Sequence, residues 1–135
     1  MKNSPQEIGM HIRREVLGDG HVDRAMANTT PFTAPFQDFI TRNVWGDVWA
    51  RPGLDRKTRS CITLAALTAL KCDAEIALHV RGALRNGVSA AEISEILLHT
   101  AVYAGVPAAH RAFAIAERVL GEADAERAQS KGSPT

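Results

Sequence analysis

The sequence predicts an all-α protein built from about six helices. Three observations predict this class. Apolar residues recur at helical spacing along most of the chain, helix-start and helix-stop signals separate the apolar stretches, and we find no strand-like alternation of useful length. The 135 residues, 45% of them hydrophobic, suffice for one core, so we expect residues 1–135 to form a single domain.

The first predicted helix has a strong start signal. Ser4, Pro5 and Glu7 supply a capping side chain, a proline suited to the first turn and an acid at the third helical position. The helix is expected to stop at the Gly-Asp-Gly sequence of residues 18–20, and residues 21–31 are expected to be a connector.

The second predicted helix covers about residues 33–50 and is apolar on two sides. Phe36 and Phe39 belong to one face, and Trp45 and Trp49, four residues apart, belong to another. One face can serve the chain's own core. We expect the other to be buried by a partner subunit or to line a substrate pocket.

The third and fourth predicted helices form a central antiparallel hairpin. The third is capped by Asp55 and carries no charge from residue 61 to 70, which is typical of a buried central helix. The fourth covers about residues 73–86 and ends at an Asn-Gly stop. Basic residues in the first turns of the third helix oppose the helix dipole, a cost tolerable on the surface or around an anion; they are Arg56, Lys57 and Arg59.

The last two predicted helices follow a second capping signal. Ser89 and Glu92 form a capping box for the fifth helix, which is expected to end at Gly105. The sixth covers about residues 107–120. We expect the polar tail, residues 121–135, to be frayed.

Composition argues against several functions. The net charge of +1 and the aromatic content of 5% favour neither nucleic acid nor an anionic membrane as a partner. We recognise neither a membrane-spanning apolar run nor an export leader, so we expect a soluble cytoplasmic protein. Cys61 and Cys72 lie at neither redox nor zinc-site spacing, and the histidines suggest no metal site.

Glu75 and His79 are the candidate catalytic pair. They are four residues apart, so they lie one turn apart on one helix face, at the edge of its apolar stripe. A carboxylate that orients and charges an imidazole is a plausible acid/base device. The alternative is a partly exposed ion pair that contributes a few tenths of a kcal/mol. Cys72 falls on the same strip.

Two long strings carry a family resemblance. Residues 45–55 run Trp-Gly-x-x-Trp-x-Arg-Pro-Gly-Leu-Asp, and residues 103–107 run Tyr-Ala-Gly-Val-Pro. With the segments at 16–24 and 78–89, they resemble the carboxymuconolactone decarboxylase family, in particular the branch that acts on 4-carboxymuconolactone. The resemblance implies an alkyl hydroperoxidase D-like fold and ring-like homo-oligomers, commonly hexamers.

The resemblance also implies an activity. It is the cofactor-independent decarboxylation of 4-carboxymuconolactone to 3-oxoadipate enol-lactone, in the β-ketoadipate pathway of protocatechuate catabolism. This substrate is an unsaturated lactone with two carboxylates, and its conjugated carbonyl accepts the electrons that CO2 leaves behind. We therefore expect a carboxy-lyase that needs no cofactor and no metal.

Such a reaction needs carboxylate binding and a proton donor. Arg59 is the first choice for a substrate carboxylate, and Arg42 and Arg81 are weaker choices whose alternative is a solvated surface position. His79 is the expected proton donor or oxyanion partner, with Glu75 orienting it. Three further residues are left open: Trp45 and Tyr103 as walls of the substrate ring or as plain packing, and His99 as a pocket residue or an exposed partner of Glu95.

Two other functions remain open. A thiol peroxidase of the alkyl hydroperoxidase D type uses a Cys-x-x-Cys pair, but here Glu75 stands where the second cysteine after Cys72 is expected, and Ser60 stands near the place of an upstream glutamate. The third hypothesis is a family member that binds an acidic lactone without converting it, or that acts on another lactone.

Overall fold

A computed structural model describes residues 3–132, and in this range the chain forms helices and no strand. The all-α prediction is therefore confirmed. In chain order the elements are α1 (Pro5–Leu17), α2 (Asp19–Ala27), α3 (Ala34–Phe39), a π-helical segment (Ile40–Val48), α4 (Arg56–Ala69), α5 (Asp73–Arg85), α6 (Ala90–Ala104) and α7 (Val106–Gly132). None of these described helices combines the length and apolar character needed to cross a bilayer.

The chain divides into two compact units, Met1–Arg59 and Ser60–Thr135. The helix α4 starts in the first unit and continues in the second. That residues 1–135 act as a single domain stays a prediction.

In the first unit, α1 packs against the π-helical segment through glycine. A Cβ atom on Gly9 would lie 1.9 Å from the backbone oxygen of Thr41, and one on Gly46 would lie 2.3 Å from the backbone oxygen of Pro5. Because real Cβ atoms never approach that closely, only glycine permits this contact. The predicted capping box at Ser4 and Glu7 is present at the start of α1.

One prediction for the first unit was wrong, and another missed the type of helix. The expected connector at residues 21–31 contains most of α2, which Val22 anchors by complete burial. The helix expected over residues 33–50 is present as continuous helix over residues 34–48, but only α3 is α-helical and the remainder is the π-helical segment, which the sequence did not predict. Wider π-helical turns are rare and are frequently found at functional sites.

The two apolar faces of this region differ in burial. Trp45 and Trp49 are buried, with ring centroids 5.0 Å apart. Phe36 and Phe39 are 61% and 53% exposed, and Phe32 nearby is 93% exposed. The phenylalanine face is therefore the one that the chain leaves uncovered.

In the second unit, α7 packs against both α5 and α6. The core that these helices enclose, together with one residue of α4, consists of Leu64, Ile76, Val80, Ala83, Val88, Ile93, Leu97, Ala112, Ala116 and Val119. The expected capping box at Ser89 and Glu92 is present, and Gly105 ends α6 with φ of 103°. A left-handed φ of this size favours glycine.

Two expectations for the second unit need correction, and a third, the α4–α5 hairpin, is confirmed. The uncharged α4 is buried along one face only, at Ser60, Leu64 and Thr68, while Ile62 on its other side is 53% exposed. The predicted antiparallel arrangement of α4 and α5 is present, since Asn86 at the end of α5 donates to Ser60 near the start of α4 at 2.9 Å. Leu64 of α4 joins Ile76 and Val80 of α5 in the core, although α7 packs more extensively against α5 than α4 does. The tail expected to fray continues as helix to Gly132; residues 133–135 lie outside the described range.

Candidate functional site

The Glu75–His79 pair lies on α5 as the spacing predicts. His79 Nε2 is 3.7 Å from Glu75 Oε2, and the two side chains are 13% and 57% exposed. This is an ion-pair distance just longer than a hydrogen bond. The imidazole is thus largely withdrawn from water while its carboxylate partner faces solvent. Neither side chain lines one of the described grooves, so the candidate pair is defined by its mutual geometry on α5.

An ion pair with α7 anchors the start of α5. Cys72 is the capping residue of α5, and its Sγ lies 3.8 Å from the backbone oxygen of Leu70. The next residue, Asp73, pairs with Arg111 of α7. The hydrogen bond from the Arg111 guanidinium lowers the pKa of Asp73, against a smaller opposing effect of burial. This link fixes the turn from which Glu75 and His79 project.

Sequence reasoning missed the Asp73–Arg111 link. The two residues are 38 positions apart, and neither belongs to a recognisable motif. The one available signal was Asp73 in the acidic first turn of a helix, which its interaction with the helix dipole already explains.

Arg59, the first choice for a substrate carboxylate, lies in the first two turns of α4. It is half-buried, and its Nη2 donates to the backbone oxygen of Arg51 at 3.1 Å. The loop before α4 therefore shapes the position of this guanidinium. Asp55 starts the helix as expected, since its carboxylate accepts from the backbone N–H of Thr58 at 2.7 Å.

The two weaker arginine candidates have carboxylate partners within the chain. Arg42 is exposed and pairs with Asp38 one turn earlier, at 2.9 Å. Arg81 binds Glu122 and Glu126 of α7, each at 3.1 Å. A substrate carboxylate at either position would first have to displace an acidic side chain.

The proposed aromatic walls differ in accessibility. Trp45 is buried in the first unit, whereas Tyr103 of α6 is 80% exposed. Tyr103 pairs with His99, with ring centroids 5.2 Å apart and tilted by 39°. His99 therefore contacts the next aromatic on its helix, and the expected ion pair with Glu95 is absent from the described interactions of these two residues.

His99 and Glu95 also line a groove between α4 and α6, with a volume of about 640 Å³. The rest of its lining is mainly apolar and includes Cys61, Ile62 and Ala65 of α4. Among the described residues, no three His, Cys, Asp or Glu side chains come close enough to hold a metal ion.

The family model of known proteins that matches this chain is the carboxymuconolactone decarboxylase family, over residues 34–118. That match includes α5 with Glu75 and His79, and it covers more than half of the chain. The chain belongs to the carboxymuconolactone decarboxylase family. The resemblance seen in the sequence is thereby confirmed.

Two relatives are similar to this protein over most of the chain. A 4-carboxymuconolactone decarboxylase from Acinetobacter baylyi is 47% identical over 112 residues, which is 83% of this chain and 84% of that protein. A nitrosuccinic acid decarboxylase from Metarhizium robertsii is 46% identical over 114 residues, 84% of this chain and 80% of that protein. Relatives of nearly equal similarity thus carry the names of decarboxylases with different acidic substrates.

Proposed function

We propose that this protein is a carboxy-lyase that decarboxylates 4-carboxymuconolactone to 3-oxoadipate enol-lactone, in the β-ketoadipate pathway. The observation that carries the proposal is the largely buried His79 imidazole next to the exposed Glu75 carboxylate on α5. Membership of the decarboxylase family and the similarity to the Acinetobacter enzyme support it.

The substrate supplies much of the chemistry. When the C–C bond to the ring carboxylate breaks, its electron pair flows through the conjugated lactone to the carbonyl oxygen, and CO2 leaves. A proton must then reach the ring carbon. His79 delivers that proton or hydrogen-bonds the developing oxyanion, and Glu75 favours the charged imidazolium from which the proton comes. The reaction therefore proceeds without a cofactor.

The substrate's carboxylates need cationic partners. Arg59 is the preferred one, because its half-buried guanidinium lies in the first turns of α4, where its Nη2 is held by the backbone oxygen of Arg51, and a guanidinium binds a carboxylate in bidentate fashion. Arg42 is the second choice, because binding there competes with Asp38. Tyr103 is the preferred wall for the lactone ring because it is exposed, and Trp45 acts by packing its own region.

The test is the fall in ultraviolet absorbance of 4-carboxymuconolactone with purified protein, measured with CO2 release. Nitrosuccinic acid is assayed beside it, since one relative is named for that substrate. A kcat/KM at least about tenfold higher for the lactone supports the proposal. The reverse preference, or conversion of neither acid, contradicts it.

The two alternative functions make different demands. A thiol relay needs a second cysteine near Cys72 and an acid near Ser60. Instead, Ser60 is buried and accepts a hydrogen bond from Asn86 Nδ2 at 2.9 Å. A non-catalytic binder would bind the lactone without releasing CO2, and the same assay separates that outcome.

We also propose that the protein works as a homo-oligomer, with a hexamer as the expected form. Large apolar side chains are exposed in both units, at Phe32 and Phe36 in the first and at Leu98, Val102 and Tyr103 in the second. Burying such side chains favours association of copies. Sedimentation at micromolar concentration tests the assembly, and a stable 14.6 kDa species would contradict it.

We propose in addition that the protein is cytoplasmic, because its two cysteines are both free thiols and thiols persist in a reducing compartment.

A further inference from the structure

Arg13 of α1 is a buried cation with neutral partners. Its residue is 3% exposed, its Nη1 donates to Thr41 Oγ1 at 3.3 Å, and its Nη2 donates to Gln37 Oε1 at 3.0 Å. Within residues 3–131, no carboxylate lies within ion-pair distance of it. A buried charge without an opposite charge is costly, so this arrangement calls for an explanation.

One polar atom of Arg13 has no hydrogen bond at all. Its Nε is buried and has no acceptor among the described residues. Burial, and then the charge of Arg14, lower the pKa of Arg13, which is the opposite of what a bound acid would do. An orphaned N–H on a buried cation is rare in proteins, because it leaves the desolvation of that group without compensation.

The orphaned Nε and the Gln37-bound Nη2 lie on the same edge of the guanidinium plane. Two parallel N–H groups on one edge are the donor set that a carboxylate accepts in bidentate fashion. Gln37 Oε1 therefore occupies one of the two positions that carboxylate oxygens would take, and no described acceptor pairs with the Nε–H at the other. The neutral amide stands where an acidic group would bind more strongly.

The surroundings hold the guanidinium but leave the glutamine adjustable. Thr41 is 1% exposed, and its hydroxyl donates to the backbone oxygen of Gln37 at 2.8 Å while it accepts from Arg13. Nη1 is thus fixed by the junction between α3 and the π-helical segment. Gln37 is half-buried on the six-residue α3, and its side chain can rotate away without breaking a backbone hydrogen bond.

We propose that the Nε–Nη2 edge of Arg13 is a binding site for the carboxylate of a small organic acid, which displaces the Gln37 side chain. The cationic residue of this site, Arg13, lies outside residues 34–118, the segment that the family model matches. That the acid is the substrate lactone rests on the proposed function; that the edge accepts a carboxylate does not.

Thermal melting with malonate at constant ionic strength tests the site. Malonate that binds the folded state should raise the wild-type melting temperature with the logarithm of its concentration, by about 3 °C for each tenfold increase above the dissociation constant. Arg13→Met removes the donor edge and should abolish this rise. Arg14→Met is the matched control, because Arg14 is the neighbouring cation, bound to Asp19 and Asp23, and its variant should keep the rise.

Gln37→Glu provides a test that does not depend on the stability of the Arg13 variant. The introduced carboxylate should occupy the edge from within the chain, raise the melting temperature without malonate and remove the response to it. A Gln37→Glu protein that responds to malonate as the wild type does would overturn the proposal, and so would a wild type that does not respond. Wild-type protein that responds to malonate but does not decarboxylate the lactone would keep this site and reject the proposed function.

Discussion

His79 Nε2 and Glu75 Oε2 are 3.7 Å apart on α5, yet the imidazole is largely buried and the carboxylate is exposed. The same His–Glu spacing occurs on α1, where His11 and Glu15 are 3.0 Å apart and the histidine side chain is 74% exposed. The chain thus contains one pair at the edge of a core and one on an open surface, which separates the effect of burial from that of spacing.

We predict that His79→Ala lowers kcat by roughly 10²-fold or more, with a smaller effect on KM, because a general acid acts in the transition state. Steady-state kinetics on the lactone measure both constants. His11→Ala removes the exposed pair and should leave both unchanged. Glu75→Gln should reduce kcat less than His79→Ala, since the amide keeps a polar contact but loses the charge. Near-normal kcat in a folded His79→Ala protein would make the pair structural.

Arg59→Ala should raise KM more than it lowers kcat, because a carboxylate clamp acts largely on the bound ground state. Arg56→Ala is the control: it lies in the same helix turn and pairs with the exposed Glu15. The measurement is KM for the lactone in the wild type and in the two variants. Equal KM values in Arg59→Ala and wild type would move the carboxylate site elsewhere.

Cys72→Ser should retain most of the turnover. Cys72 occupies the N-cap position of α5, but its thiol makes no capping hydrogen bond to that helix, and decarboxylation of the lactone needs no thiol. Turnover is compared with that of Cys61→Ser, which alters the other cysteine. Loss of activity in a folded Cys72→Ser protein would require a role for the thiol and would favour the peroxidase alternative.

The Asp73–Arg111 pair predicts a pH dependence of stability. Because the hydrogen bond from Arg111 lowers the pKa of Asp73 in the folded state, the pair contributes stability above the unfolded pKa of about 3.9 and loses it as the pH falls through the folded value. Urea unfolding between about pH 2 and 7 should show a smaller acid-induced loss in Asp73→Asn than in the wild type. If the free energy of unfolding of both proteins changed equally with pH, the Asp73–Arg111 pair would contribute nothing to the pH dependence of stability.

Much of the secondary structure could be predicted because its signals are local. The capping boxes at Ser4 and Ser89 bond side chains to backbone groups three residues away, so a short stretch of sequence determines where α1 and α6 begin. The same locality places Glu75 and His79 one turn apart. These features hold whatever the rest of the chain does.

Other features depended on residues distant in the sequence. Phe36 and Trp45 are both apolar, so the sequence does not distinguish their two faces. In the structure, α1 packs against the π-helical segment at Gly9 and Gly46, the tryptophan face is buried and the phenylalanine face is exposed. Helical periodicity cannot predict which of two apolar faces is buried, because it contains no information about which helix packs against each face.

The arginines show the same division. The sequence by itself determined that the chain is helical, where most helices start and that an acid–histidine pair shares a face of α5. Only the tertiary structure decided that Arg81 meets Glu126, that Asp73 meets Arg111 and that Arg13 is buried beside neutral groups. The reason is that helix signals act over one turn of backbone, whereas a charge is paired or left unpaired by side chains that approach from other helices.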